Sequence, residues 1–144
     1  MAAVSLPMLW KEPGIFYGPN WKNDMKERKI ALEDAIKKYS GRLNDPTASA
    51  SVTGPCGDTM EFYINIENDK ITEIRYYTEG CGVTKACGAL VAFYADQRPL
   101  SEAFFVSPGL IIKTLGKVPD DHKHCPILAA TAFYRALGEY LVKP

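Results

Sequence analysis

Between Thr59 and Thr78 apolar and polar side chains alternate with a period close to two, the repeat of a strand with one buried face. Met60, Phe62, Ile64 and Ile66 fall on one side of 59–66, and Thr59, Glu61, Tyr63 and Asn65 on the other. Residues 71–78, rich in Ile, Thr and Tyr, read as the returning strand of a hairpin across a Glu67-Asn68-Asp69-Lys70 turn. The period then becomes helical. Residues 84–97 place Cys87, Leu90, Val91 and Tyr94 on one stripe, and 126–142 brings Ile127, Ala130, Tyr134, Leu137 and Leu141 into register. Between them, 101–115 predicts one or two short helices broken at Ser107-Pro108-Gly109. Upstream, 24–39 predicts an amphipathic helix with Met25, Leu32, Ile36 and Tyr39 near one face, 40–50 has loop composition, and 49–53 carries a faint strand pattern. Strands followed by helices, without βαβ alternation, predict an α+β fold: a small antiparallel sheet of about three strands with helices packed on it.

Residues 1–22 have neither period and form a separate arm rich in proline and aromatics, including Trp10, Phe16, Tyr17 and Trp21. Two tryptophans are too much apolar surface for an idle tail, so part of the arm is expected to pack on the body or on a second subunit, which would make a homo-oligomer. Residues 23–144 read as a single domain, long enough to bury its own core. A formal net charge of +0 argues against nucleic-acid binding, which leaves a basic footprint. No apolar run reaches the ~20 residues that span a bilayer, so no membrane role is expected. The N-terminus lacks the basic-then-apolar pattern of a signal peptide, and a reducing, cytoplasmic setting is the expectation.

In that setting the four cysteines matter as ligands or nucleophiles rather than as disulfides. Three stand in turn-forming contexts: Gly54-Pro55-Cys56-Gly57-Asp58, Gly80-Cys81-Gly82 and His124-Cys125-Pro126. They lack the close Cys-x-x-Cys pairs of a zinc ribbon, so only a folded domain could bring them together. A single cysteine of this kind would be a small buried hydrophobe. Three, with Asp58 beside one and His124 beside another, point to a metal or cluster site assembled from three loops with outward-facing thiols. Cys125 is expected as the N-cap of the last helix, because Pro126 suits a first helical position, and Cys81 lies just before the 84–97 helix. Helix N-termini favour thiolates, so both sulfurs are expected to ionise easily. Cys87 belongs to the core by its stripe, although a position one and two-thirds turns beyond Cys81 could also lie under the site. The donor set suits an iron–sulfur cluster and also Zn²⁺ as Cys₃His or Cys₃Asp. A thiol enzyme with Cys125 as nucleophile and His124 as base is disfavoured, because adjacent residues at a helix start point apart.

These pieces resemble the iron–sulfur cluster assembly scaffolds of the IscU family, also found as the N-terminal domain of NifU. The resemblance rests on Gly-Pro-Cys56-Gly-Asp58-Thr-Met, the strand pair, Glu-Gly-Cys81-Gly and His124-Cys125, in that order over residues 51–142. It implies an IscU-like fold and a scaffold rather than an enzyme. On it a [2Fe–2S] cluster would be built from iron and from sulfur supplied by a cysteine desulfurase, then passed to recipient apo-proteins. Cys56, Cys81 and Cys125 would be the cluster thiolates, with Asp58 and His124 as further metal-binding positions. Asp58 matches the aspartate linked to cluster lability, and Cys125 the acceptor of persulfide sulfur. A zinc-binding sulfur relay or zinc-stabilised module would use the same residues. The family's Leu-Pro-Pro-Val-Lys chaperone stretch is replaced here by Leu-Gly-Lys-Val-Pro-Asp-Asp-His-Lys over 115–123, so chaperone-independent delivery is expected.

Overall fold

The computed structural model describes residues 31–143, and in it the alternating segments pair as an antiparallel sheet. Its strands are β1 (Ala48–Thr53), β2 (Thr59–Glu67) and β3 (Lys70–Thr78), in the order β1-β2-β3. The helices are α1 (Leu32–Tyr39), α2 (Gly82–Ala95), α3 (Leu100–Ala103), α4 (Pro108–Leu115) and α5 (His124–Val142), with a 3₁₀ turn at Asp120–His122. The expected α+β architecture is borne out. The 1–22 arm and the 24–30 part of the first expected helix, Met25 included, lie outside the described residues.

Met60, Phe62, Ile64 and Ile66 of β2 are all buried, as their alternation requires. On β3 the buried positions are Ile71, Ile74, Tyr76 and Thr78, a step of three followed by steps of two. The extra residue is Thr72. Ile66 faces Ile71 and Asn65 faces Glu73, so Thr72 is skipped, and its hydroxyl donates to the Asn65 carbonyl at 3.2 Å. The β2–β3 turn places Asn68 and Asp69 at φ 54° and 57°, left-handed conformations that these two residue types tolerate better than most.

The buried face of the sheet is covered by α2 and α5. The first packs on β3 and the second on β1 and β2, with Phe62 and Phe133 edge-to-face at 5.9 Å. Helix α2 approaches β3 so closely that a Cβ on Gly88 would stand 2.7 Å from the Tyr76 ring. The break at 107–109 is real: Ser107 caps α4 by accepting from the Leu110 amide at 3.1 Å, and Pro108 occupies the first turn.

Two expectations about the last helix are corrected. Helix α5 starts at His124, with Lys123 before it at φ −68°, ψ −17°, so the 3₁₀ turn runs directly into the helix. Pro126 sits within the first turn, where a missing N–H leaves no helical bond unmade. Cys125 is therefore inside the helix rather than its N-cap, and it is 1% exposed rather than outward-facing.

Candidate metal centre

Three chain segments meet where α2 and α5 begin. The first is the β1–β2 loop, closed by Gly54 N–H to the Asp58 carbonyl at 2.8 Å and Gly57 N–H to the Gly54 carbonyl at 3.0 Å. Gly57 takes φ 88° to make this turn, a conformation open to glycine without strain. Cys56 thereby stands exposed at a hairpin tip, and Asp58 is carried inward at the root of β2. The second segment follows β3. The Thr78 hydroxyl donates to the Thr59 carbonyl at 2.7 Å and accepts from the Gly80 amide at 3.0 Å, which fixes the turn that delivers Cys81 as the N-cap of α2. The third is the 3₁₀ turn and the first turn of α5, which supply His122, His124 and Cys125.

At the centre is Thr84, fully buried one turn into α2. Its hydroxyl donates to Asp58 Oδ2 at 3.0 Å and lies 3.4 Å from both Cys81 Sγ and Cys125 Sγ. One hydroxyl carries one proton and two lone pairs. Facing Asp58, it can accept from the two thiols; turned to Cys81, it stabilises a thiolate there. Gly80 packs closely beside it: a Cβ at that position would crowd Asp58 Oδ2 and Thr84 Cβ at 3.0 Å.

The two histidines share Cys125 and each faces one further sulfur. His124 places Nδ1 3.9 Å from Cys56 Sγ and Nε2 3.8 Å from Cys125 Sγ. His122 places Nδ1 3.6 Å from Cys81 Sγ and 4.0 Å from Cys125 Sγ. Two triplets of donors result, Cys81–His122–Cys125 and Asp58–His124–Cys125, each with its ligand atoms within 4.8 Å of one another. Four of the five residues expected from sequence thus converge: Asp58, Cys81, His124 and Cys125. Cys56 belongs to neither triplet and reaches the group through His124.

The thiols are not equivalent. Hydrogen bonds from the Thr84 hydroxyl and then its backbone amide hold the Cys81 thiol below the usual cysteine range, as a helix N-terminus should. Cys125 moves the other way: burial raises it, against the help of Thr84. The expectation that both sulfurs ionise easily therefore holds for Cys81 and fails for Cys125, because Cys125 lies inside its helix rather than at its cap. Cys87 is fully buried in the core, and burial pushes its thiol up to about 12.

Sequence reasoning missed His122 and Thr84. The signal for the first was present, since the chain has only two histidines and they flank Lys123 just ahead of Cys125. The signal for the second was spacing alone: Thr84 stands three residues after Cys81, the separation at which helical side chains meet.

The fold and site together define a small α+β domain that gathers soft and hard metal donors from three loops onto one end of a three-stranded sheet. The chain belongs to the NifU-like N terminal domain family, which matches residues 38–144. Among curated proteins it is 31% identical over 104 residues to the iron-sulfur cluster assembly scaffold protein IscU 1 of Archaeoglobus fulgidus, covering 72% of this chain and 68% of that one. It is 32% identical over 103 residues to the iron-sulfur cluster assembly scaffold protein IscU of Escherichia coli, covering 69% of this chain and 80% of that one. The N-terminal part of a NifU-like protein from Brucella abortus has the same fold, with TM-score 0.59 at 16% identity over 79% of this chain and 100% of that one.

Proposed function

We propose that this protein is a scaffold on which a [2Fe–2S] cluster is assembled from iron and desulfurase-derived sulfur and then released to recipient apo-proteins. The observation that carries the reading is the meeting of Asp58, Cys81 and Cys125 around Thr84, with His124 beside Cys125, in a chain similar to proteins named as iron-sulfur cluster assembly scaffolds. The donor chemistry fits the cargo: thiolates select iron–sulfur clusters, and imidazole suits iron. Cys81, Cys125 and the exposed Cys56 supply the thiolates, and His124 and Asp58 complete the set. A carboxylate is a harder ligand than a thiolate, so Asp58 makes the site easier to empty. That suits a carrier better than four cysteines would.

Sulfur arrives as the outer sulfur of a desulfurase persulfide. The Cys125 thiolate attacks that sulfur, the desulfurase thiolate leaves, and release as sulfide takes two electrons from an external thiol or ferredoxin-type reductant. Because Cys125 is 1% exposed, the desulfurase must dock at the 119–124 turn and open it before transfer. A reducing, cytoplasmic setting belongs to this reading, because cysteines that ligate a cluster have to stay out of disulfides.

The test is anaerobic reconstitution with iron and sulfide, followed by mixing with an apo-ferredoxin. The expected result is a [2Fe–2S] absorption spectrum on this protein that decays as the ferredoxin spectrum grows. Tight, non-transferable zinc with no cluster would overturn it.

A further inference from the structure

Resting on the scaffold reading, we propose that His122 is a metal-ligating residue, and that Cys81, His122 and Cys125 form the seat at which a single ferrous ion first binds. In a tetrahedral site with metal–sulfur and metal–nitrogen bonds near 2.3 and 2.0–2.1 Å, neighbouring S and N donors stand about 3.6 Å apart. The His122 Nδ1 distances of 3.6 Å to Cys81 and 4.0 Å to Cys125 match that edge with little movement. The three side chains come from two pieces of backbone distant in sequence: Cys81 from the α2 N-cap, and His122 and Cys125 from the 3₁₀ turn that runs into α5. Three protein donors leave one tetrahedral position for an exchangeable ligand, as a loading site needs. The other ring nitrogen of His122 faces Asp121 Oδ1 at 3.9 Å. That is longer than a hydrogen bond, so the placement of Nδ1 rests on its distances to the two sulfurs and not on this carboxylate.

The competing triplet, Asp58–His124–Cys125, shares Cys125, so the two are alternative seats for one ion. Donor softness decides between them. Two thiolates and an imidazole hold a borderline divalent ion better than one thiolate, an imidazole and a carboxylate. His124 is also divided, with one ring nitrogen toward Cys125 and the other toward Cys56 at the exposed tip. The ion therefore enters beside His122, while Cys56, Asp58 and His124 remain free for the second iron and for release.

The experiment is an anaerobic titration of the full-length apo-protein with Co²⁺, whose visible bands report tetrahedral coordination and whose near-ultraviolet bands report thiolate ligation. Wild type should bind one Co²⁺ with tetrahedral, two-thiolate bands. His122→Ala should lose about tenfold or more in affinity along with the tetrahedral bands. His124→Ala should lose less. His122→Cys should restore the bands with added thiolate intensity, a rescue that a merely structural histidine would not show. Wild-type affinity and spectrum in His122→Ala, or an equal or larger loss in His124→Ala, would overturn the proposal. Iron and sulfide added to the same preparations separate the two readings. A wild-type cluster with unaltered Co²⁺ binding by His122→Ala sinks only the His122 assignment. His122-dependent Co²⁺ binding with no wild-type cluster sinks the scaffold reading and leaves the seat.

Discussion

Thr84 decides how the site stores its charge. Its hydroxyl touches one carboxylate and two sulfurs, and its hydrogen bond is the largest cause of the lowered Cys81 thiol. Thr84→Val keeps the shape and removes that donor. A lowered pKa means that Cys81 holds its thiolate at lower pH than a free cysteine; without the hydroxyl its alkylation profile should move to higher pH. The Thr84 backbone amide retains part of the effect. An unchanged Cys81 profile would show that the hydroxyl is spent on Asp58. The same environments set an order of labelling in the native apo-protein. Cys56 and Cys81 are exposed and should react first, Cys125 should lag at neutral pH because it is both buried and raised, and Cys87, pushed to about 12, should be spared. Mass spectrometry of a timed alkylation checks this, and early modification of Cys87 would contradict the packing described for α2.

At the scale of elements, α2 lies on β3 through Gly88. Alanine in place of a mid-helix glycine gains about 1 kcal/mol in propensity. Here its Cβ would fall 2.7 Å from a Tyr76 ring that is 1% exposed and tied by its hydroxyl to the Ile36 carbonyl. Overpacking of that kind costs about 1–3 kcal/mol, so Gly88→Ala should lower stability in a denaturant melt rather than raise it. The elements themselves were largely legible. The β2–β3 hairpin announces itself by period because it buries one face, whereas α2 is buried on nearly every side from Ala86 to Ala95, and the stripe read for α5 included Ile127 and Leu141, which are 55% and 56% exposed. β1 was faint because the apolar positions of Ala48-Ser49-Ala50-Ser51-Val52-Thr53 are two alanines and a valine, too small for a strong pattern, and its position comes from pairing with β2. That also hid the hairpin that lifts Cys56. The start of α5 was misread because Pro126 fits any position of a first turn, and the error carried through to the burial and ionisation of Cys125. His122 and Thr84 went unseen because neither belongs to a motif; each stands three residues from a cysteine, and that spacing gains a role only where the three loops meet.

For the whole molecule, the sheet and its two long helices bring residues from positions 56 to 125 to one end of the domain. In the proposed function these residues are one cluster-building site. The direct measurement is anaerobic iron–sulfide reconstitution of wild type and of Cys56→Ser, Cys81→Ser and Cys125→Ser, each read by Mössbauer spectroscopy and sulfide content. Serine is a harder, poorly ionised ligand, so every variant should lose most of the cluster. Cys81 and Cys125, which stand at the centre, should lose more than Cys56 at the rim. The predicted wild-type signal is a diamagnetic pair of tetrahedral ferric sites with sulfide matching iron. Wild-type cluster content in both Cys81→Ser and Cys125→Ser would contradict the account.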